Sequence, residues 1–308
     1  MYYYIVNPAA GGAQNKALQE KLRSRLDQLG IRGEWVKTTA PGEATNLAAA
    51  AAAKGHTTIV AVGGDDTVNE VVNGVTEHEG LAVGIIPLGS TNRLATQLGI
   101  TSWQQACEVL AARRLTSYSL IAAGQKYFLS TLTLGFETDL DKNVDTTATG
   151  WRARVGQLRA GWGHARNYQT LRCRINVDDQ FKLDCSVFSL SIANQKFLNP
   201  LADNRLVVAL SDHPGRQLQL GNYVWQMLHS RIGRGTNPAT ASFAEDAATT
   251  RFLAQRVVIE TEPVTGIMVD GKVAGRTPIA IRLTDRHVRF ITEKVVADFK
   301  DAVGPRSK

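Results

Sequence analysis

The sequence contains little cysteine, with only three such residues among 308. Cys107, Cys173 and Cys185 show no Cys-x-x-Cys spacing, which excludes a disulfide framework and a cysteine-rich zinc site. The sequence also lacks any run of about 18 apolar residues that would cross a membrane. Its first residues have neither a basic leader nor an apolar signal core. We therefore expect a cytoplasmic protein in a reducing compartment.

The composition is that of a folded chain. Hydrophobic residues make up 44% and charged residues 20% of the sequence, so a sizeable core can be buried. The length corresponds to one large domain or two ordinary ones. The formal net charge of +7 favours anionic partners such as phosphorylated ligands, acidic lipid surfaces or nucleic acid. Many enzymes are equally basic without such a partner, so charge alone does not assign a function.

The first 118 residues alternate between short apolar runs and amphipathic segments. Strands are predicted for Tyr2 to Val6, from Trp35, and for Thr57 to Val62 and Leu81 to Pro87. Helices are predicted for Lys16 to Leu29, Thr45 to Lys54, Val68 to Val75 and Trp103 to Arg113. Strands alternating with helices indicate a parallel sheet covered on both faces. We expect residues 1–118 to form a Rossmann-like three-layer α/β domain.

From residue 119 to 290 the pattern changes to strands joined by loops. The predicted strands are Lys126 to Leu134, Thr170 to Val177, Gln180 to Ile192, Arg205 to Ser211, Arg256 to Glu260, Gly266 to Val269, Pro278 to Leu283 and Val288 to Phe290. Helical patterns occur only near Trp151 to Asn167 and Leu220 to Arg231. The expected fold class is therefore α/β plus β, with a C-terminal antiparallel β-sandwich domain. The tail, 291–308, is expected to pack back on the N-terminal domain.

Three glycine-rich turns follow three of the predicted strands of the first domain. They are Asn7 to Gly12, Gly63 to Thr67, and Pro87 to Asn92. Such turns meet at one edge of a parallel sheet, outside the carboxyl ends of the strands, where ligands bind. Glycine lets the backbone approach a phosphate, and the following helix presents N–H groups and its positive end. Each turn alone also suits tight strand-to-helix packing, but three in this order indicate a phosphate-binding site.

The turns resemble motifs of the diacylglycerol kinase catalytic-domain family, which includes bacterial lipid kinases and the sphingosine and ceramide kinases. That family carries Asn-Pro-x-Ser-Gly, Gly-Gly-Asp-Gly-Thr and Pro-x-Gly-Thr-x-Asn-Asp turns, and a late Asp-Gly-Glu in its β domain. The matching segments here are Asn7-Pro8-Ala9-Ala10-Gly11, Gly63-Gly64-Asp65-Asp66-Thr67, Pro87 to Arg93, and Asp270-Gly271-Lys272. The resemblance covers essentially the whole chain, with all four motifs in the same order.

The resemblance implies an ATP-dependent lipid kinase that transfers the γ-phosphoryl group to a hydroxyl of a lipid, such as diacylglycerol or a sphingoid-type acceptor. It implies Mg²⁺ bridging the phosphates, with metal ligands unassigned. The nucleotide contacts it implies are Asn7, Thr38, Gly63, Gly64, Asp65, Asp66, Thr67, Glu70, Ser90, Thr91 and Asn92. The catalytic candidates are Asp270 as the acid–base carboxylate, together with Asp65 and Lys272.

The chain departs from these motifs at the positions nearest the chemistry. Asp66 stands for glycine, Arg93 for aspartate and Lys272 for glutamate, which raises the net formal charge by three, and Ser90 stands for threonine. Because glycine is the family residue, we expect Asp66 to adopt a positive φ. A carboxylate about 4 Å from a phosphate charge costs roughly 4 kcal/mol at an effective dielectric constant of 20, unless a cation intervenes.

These departures leave a second hypothesis open, in which the protein binds a nucleotide or another anionic ligand without kinase activity. An ammonium at Lys272 cannot replace a carboxylate base, although Asp270 could take that role. Alternatively, Lys272 and Arg93 could hold an anionic group directly. The family's metal-binding segment is also altered at Pro200 to Arg205, where the usual Asp-Gly pair is missing.

The segment from Trp151 to Arg174 combines arginines with aromatic residues. Its members are Trp151, Arg152, Arg154, Arg159, Trp162, Arg166, Tyr168, Arg172 and Arg174. The pattern suits peripheral contact with an anionic membrane, where each cation contributes about 1 kcal/mol. It suits equally a solvated helix and strand edge with tryptophans in the core. No recognition motif accompanies the charge, so no nucleic-acid partner is expected. The sequence does not indicate an oligomeric state.

Overall fold

The structure is a computed structural model of the whole chain. It describes residues 1–11, 15–89, 92–136, 138–139, 168–199, 202–212, 249–269 and 272–293, the last range with only the backbone of Lys272, and the isolated positions 156, 159 and 163. The chain divides into two compact units. The first comprises Met1–Tyr118, Asn199–Ala202 and Arg286–Lys308, and the second comprises Ser119–Leu198 and Asp203–Asp285.

The first unit is built on a parallel sheet. Its strands are β1 (Tyr2–Val6), β2 (Gly33–Lys37), β3 (Thr58–Gly63) and β4 (Ala82–Pro87), in the order β2-β1-β3-β4. Every residue of β3 and β4 is buried, which is why both occur in the sequence as uninterrupted apolar runs. Arg289 and Phe290, near the end of the last strand of the chain, pair in parallel with β4.

Two layers of helices pack on this sheet. The helices are α1 (Lys16–Gln28), α2 (Glu43–Ala53), α3 (Asp65–Val75), α4 (Arg93–Gln97) and α5 (Trp103–Ala112). Helix α1 packs against α5, and α5 packs onto β4. Helix α2 packs against α3, and these two helices contact β1 and β3. The expected three-layer α/β arrangement is confirmed.

The second unit contains two antiparallel sheets. One has the order β12-β11-β10-β7-β14-β15. The other contains β9-β8-β13 and the first half of β16, with β5 pairing with β6 and β16. The strands are β5 (Leu115–Ala123), β6 (Lys126–Phe128), β7 (Thr131–Gly135), β8 (Leu171–Val177), β9 (Phe181–Val187), β10 (Ser189–Asn194), β11 (Leu206–Ser211), β12 (Thr249–Ala254), β13 (Arg256–Glu262), β14 (Gly266–Val269), β15 (Lys272–Arg276) and β16 (Ile279–Ile291). A short helix, α6 (Gln195–Leu198), follows β10.

A single hydrophobic core joins the inner faces of these two sheets. Leu132, Leu190 and Val208 of one sheet belong to the same buried cluster as Ile175 and Val257 of the other. This is the packing of a β-sandwich, in which alternate residues of each strand point inward. The predicted fold class, an α/β domain with an antiparallel β-sandwich, is confirmed.

Several predicted element boundaries are wrong. Gln180 to Ile192 was expected as one strand, but it is divided at Phe188 into β9 and β10, which belong to different sheets. Lys126 to Leu134 is likewise two strands, whereas the two strands predicted from Pro278 to Phe290 are the single strand β16. The helices predicted near Trp151 to Asn167 and Leu220 to Arg231 lie outside the described residues, except for the isolated positions 156, 159 and 163.

Candidate phosphate-binding site

The strand order of the first unit reverses between β1 and β3. In an open α/β sheet, the crevice at such a switch point, outside the carboxyl ends of the strands, is where ligands bind. Asn7 and Gly64 follow directly after these two strands. The backbone N–H of Asn7 donates to Val62 O at 3.0 Å, which holds the first two glycine-rich turns side by side.

The side chain of Asn7 joins the first turn to helix α3. Its Oδ1 accepts the backbone N–H of Ala9 at 2.9 Å, and its Nδ2 donates to Thr67 Oγ1 at 3.1 Å. The Ala9 bond fixes which end of the amide faces Thr67, because only the oxygen can accept. Thr67 is 1% exposed, so its hydroxyl serves to fasten the turns together. Thr38, another predicted contact, is also buried, and its N–H donates to Val6 O at 2.9 Å.

The turns after β3 and β4 come closer together than side chains would allow. A Cβ built on Gly89 would lie 2.5 Å from Gly64 Cα, and one built on Gly63 would lie 2.4 Å from Thr67 Oγ1. Leu88 N–H donates to Gly63 O at 2.9 Å. The glycines are required here because two backbones touch. Gly89 was not among the predicted site residues, although a glycine just after a buried strand is a signal for such an approach.

Helix α3 starts at Asp65, three residues before the predicted start at Val68. Gly64 is the N-cap of α3. Because glycine has no side chain, it cannot supply an oxygen that accepts the N-terminal N–H groups of the helix. The start of α3 therefore has the properties of an anion-binding helix end. Asp65, Asp66 and Thr67 form its first turn.

Asp66 does not adopt a positive φ, and that expectation is wrong. The residue is the second of α3 and has a helical backbone, whereas the positive-φ residues other than glycine within the described ranges are Asn92, Arg113, Asp178 and Asp179. Its side chain is exposed. A carboxylate in the first turn of a helix is favoured by the positive end of the macrodipole, by about 0.3–1 kcal/mol.

The carboxylate of Asp65 binds the backbone of the third turn. Oδ2 accepts the N–H of Arg93 at 2.9 Å, and Oδ1 accepts the N–H of Leu94 at 2.8 Å. The residue is only 8% exposed. Arg93 and Leu94 begin α4, so Asp65 caps a neighbouring helix. Both oxygens of this predicted catalytic residue are thus engaged with the protein backbone.

The third turn is also braced from within. Asn92 has a left-handed backbone, with φ 48° and ψ 43°. Its Oδ1 accepts the N–H of Gly89 at 2.9 Å, and its Nδ2 donates to Gly89 O at 2.7 Å. Ser90 and Thr91, which lie between them, are outside the described residues.

Glu70 is a predicted nucleotide contact, but its carboxylate accepts backbone hydrogen bonds at the start of helix α2. Oε1 accepts the N–H of Gly42 at 2.9 Å, and Oε2 accepts the N–H of Ala44 at 3.2 Å. Gly42 is the N-cap of α2 and has no side chain with which to cap it. In the same helix, the carboxylate of Glu43 accepts the backbone N–H of Thr39, which lowers the pKa of that carboxyl.

The remaining predicted catalytic groups are not located. Asp270 and the side chain of Lys272 lie outside the described residues. Arg93, one of the departures from the motif, is the half-buried first residue of α4, and its buried Nε has no hydrogen-bond partner among the described residues. Within the described ranges, no group of three or more histidine, cysteine, aspartate or glutamate side chains could hold a metal ion.

The segment Pro200 to Arg205, where the family's metal-binding Asp-Gly pair is missing, is described from Ala202 onward. Asn204 Nδ2 donates to Ser119 Oγ at 2.6 Å, and Asn194 Nδ2 donates to Ser119 O at 3.1 Å and to Asn204 Oδ1 at 3.3 Å. Asn204 therefore has a structural role in the sandwich.

The basic segment from Trp151 to Arg174 is described mainly at its end. Arg172 forms a two-point ion pair with Asp184, at 3.1 and 2.9 Å, which lowers the pKa of that carboxyl. Arg174 lies 2.6 Å from Glu262 and 3.8 Å from Glu260. These two arginines are balanced by carboxylates. Membrane contact through the segment stays a prediction.

Comparison with known proteins relates the chain to lipid kinases. A diacylglycerol kinase of Staphylococcus saprophyticus is 25% identical over 193 residues, which is 62% of this chain and 63% of that protein. A crystal structure of a diacylglycerol kinase from Bacillus anthracis superposes with a TM-score of 0.67 at 20% identity, covering 95% of this chain and 96% of the other. An Archaeoglobus fulgidus NAD kinase in complex with ATP has the same fold, with a TM-score of 0.51 at 11% identity, covering 96% and 94%.

Within the described ranges, no helix is long and apolar enough to cross a membrane.

The family model agrees with the turns. Residues 1–123, which contain all three glycine-rich turns, match the model of the diacylglycerol kinase catalytic domain. The resemblance predicted from the motifs is therefore confirmed for residues 1–123 by the match to this family's model and by the similarity to a diacylglycerol kinase.

Proposed function

We propose that the protein is an ATP-dependent lipid kinase that phosphorylates a hydroxyl of a lipid of the diacylglycerol or sphingoid type. The observation that carries the proposal is the meeting of three glycine-rich turns at the start of α3, within a domain of the diacylglycerol kinase family. ATP as the donor is supported by the ATP complex of the archaeal NAD kinase, which shares the fold.

The described residues supply positioning for the phosphates. Gly64 caps α3 without a side chain, and the N–H groups and dipole at this helix end favour an anion. Asn7 fixes the first turn against α3, and Asp65 fixes the third. Phosphoryl transfer depends chiefly on such positioning and on stabilisation of the charge that develops on the transferring group.

Mg²⁺ fits this site only as an ion that arrives with the nucleotide. Magnesium is commonly bound by one or two carboxylates together with substrate phosphates. Asp66 has an exposed carboxylate at the start of α3 and would hold the ion there. The ion would neutralise charge on the phosphates, which removes the electrostatic penalty of a carboxylate at this position.

The acid–base step is assigned to Asp270 through the resemblance. A carboxylate accepts the proton of the attacking hydroxyl, and Lys272 two residues later provides a cation for the phosphoryl group. We place the reaction at the cytoplasmic surface of a membrane, where the basic segment from Trp151 to Arg174 would meet the lipid.

A lipid phosphorylation assay tests the proposal. Purified protein with radiolabelled ATP and Mg²⁺ is expected to label diacylglycerol or sphingosine in mixed micelles, and Asp270→Asn is expected to abolish labelling while nucleotide binding persists. Glu79→Gln is the matched control, since Glu79 is exposed and the substitution removes the same charge elsewhere. If the protein binds nucleotide but transfers phosphate to no lipid, the kinase hypothesis is rejected in favour of a nucleotide-binding protein. If it binds no nucleotide, both hypotheses are rejected.

A further inference from the structure

Helix α3 carries two carboxylates that cap its neighbours. Asp65 accepts two backbone N–H groups at the start of α4, and Glu70 accepts two at the start of α2. We propose that Asp65 is a positioning residue that assembles the nucleotide site by clamping the turn after β4 onto the turn after β3, and that it is not the base of the reaction. The inference rests on the proposed nucleotide site and concerns how it is built.

The third turn needs a clamp from outside because its own cap residue is used elsewhere. Asn92 is the N-cap of α4, but its side chain bonds to Gly89 and makes no capping bond to the helix. Helix α4 has only five residues, so it forms few backbone hydrogen bonds of its own. The carboxylate of Asp65 supplies the missing acceptors from 28 residues away in the sequence.

The same bonds hold two backbones in contact. Gly64 and Gly89 approach so closely that a Cβ on Gly89 would lie 2.5 Å from Gly64 Cα. Asp65 is the next residue after Gly64, and its bonds to Arg93 and Leu94 pull the far side of the third turn toward α3. Loss of either the carboxylate or the glycine contact should therefore separate the two turns in the same way.

The geometry of Asp65 is unsuited to proton abstraction. A general base must reach the hydroxyl it deprotonates at about 2.6–3.2 Å, directly or through one water. Asp65 is 8% exposed, and each oxygen already accepts a backbone N–H at 2.8 or 2.9 Å. Because each N–H faces a different oxygen, a side chain that accepts at both atoms suits this position, which explains a carboxylate here without any catalytic demand.

Three variants test the clamp. Asp65→Asn keeps one acceptor and turns an NH₂ group toward the other N–H, whereas Gly89→Ala drives the turns apart without touching a titratable group. Asp178→Asn is the control for the loss of charge, because Asp178 Oδ1 in the sandwich accepts two backbone N–H groups, from Gln255 at 2.8 Å and Arg256 at 2.7 Å, and asparagine retains that oxygen. The readouts are the dissociation constant of the β,γ-imido analogue of ATP with Mg²⁺, and hydrogen exchange of the peptide 92–98.

We expect Asp65→Asn and Gly89→Ala to weaken binding of the analogue by about 10-fold or more, as loss of a hydrogen bond to a charged group would. Both should speed exchange of 92–98 while strands β1 and β3 stay protected. Asp178→Asn should change neither readout. A merely stabilising aspartate would lower the melting temperature and leave the affinity of the folded protein unchanged, which would refute the clamp.

The outcome for a base is distinct. If Asp65→Asn binds the analogue as tightly as the wild type, keeps 92–98 protected and loses only phosphoryl transfer, Asp65 is catalytic and the inference is wrong. If the wild type binds no analogue, the proposed function fails instead. Hydrogen exchange of 92–98 then still decides the clamp, since faster exchange in Asp65→Asn supports it and unchanged exchange overturns it.

Discussion

Removal of the Glu70 carboxylate should loosen helix α2 while leaving the rest of the first unit folded. The carboxylate replaces the cap that Gly42 cannot provide, through bonds of 2.9 Å to Gly42 N and 3.2 Å to Ala44 N. Substituting Glu70 by alanine deletes both bonds. The bond from Thr45 Oγ1 to Glu70 O uses the backbone carbonyl and remains available.

The magnitude follows from the kind of bond lost. Deleting a capping side chain costs about 0.5–2 kcal/mol, and bonds to a charged acceptor lie toward the upper part of that range. We therefore expect the opening of α2 to become about 1–2 kcal/mol easier, which speeds exchange of its amides about 5- to 30-fold. Glu70→Gln keeps one oxygen acceptor and should fall between alanine and the wild type.

Hydrogen exchange at neutral pH is the suitable assay because it reports on α2 alone, whereas global unfolding of a two-unit protein is not a two-state process. Glu79→Ala is the matched control, because Glu79 is exposed and lies just beyond α3. Equal exchange rates of α2 in Glu70→Ala and Glu79→Ala would show that the two bonds contribute nothing.

Two further predictions concern ionisable groups of the second unit and the thiols. Burial raises the pKa of Cys107 to about 11 and that of Cys173 to about 12. We therefore expect iodoacetamide to alkylate the half-buried Cys185 first in the native protein, as measured by peptide mass. Earlier labelling of Cys173 would contradict this prediction. Arg172 lowers the pKa of Asp184, so this ion pair contributes stability above the ordinary aspartate pKa and loses it as the pH falls through the lowered value. In Arg172→Met the pKa should return toward its ordinary value in a carboxyl NMR titration, and an unchanged pKa would show that Arg172 is not its cause.

The strands of the first unit could be predicted because a fully buried strand appears in the sequence as an uninterrupted apolar run. Strands β1, β3 and β4 are apolar runs that end in asparagine, glycine or proline, and the predicted bounds differ from the observed ones by at most one residue at either end. The β9–β10 boundary leaves no such trace. At Phe188 the chain passes between the sheets: its N–H donates to Ser211 O and its carbonyl accepts the N–H of Phe136, and both partners are distant in the sequence.

The start of α3 could not be predicted for a related reason. Asp65 to Thr67 carry no apolar periodicity, and two glycines precede them, so the sequence favours a loop up to Val68. The helix begins at Asp65 because Gly64 takes the N-cap conformation. Likewise, the partners of Asp65 and Glu70 are backbone groups 26 to 29 residues away, and a motif specifies the carboxylate without specifying what it binds.

Two of the departures from the family motifs change the charge in opposite directions, at Asp66 and at Arg93, and Asp65 links the two residues because it precedes Asp66 and bonds to the backbone of Arg93. Asp66 adds a negative charge next to Asp65, and Arg93 replaces a negative with a positive charge on the residue whose N–H lies 2.9 Å from Asp65 Oδ2. Opposite charges introduced at one site offset each other's effect on a bound phosphate. Without Mg²⁺, which Asp66 is proposed to hold, Asp66→Gly should lower and Arg93→Asp should raise the dissociation constant of the ATP analogue, and the double variant should deviate from additivity by about 0.5 kcal/mol or more. A strictly additive double-mutant cycle would show that the two residues do not act on the same bound charge.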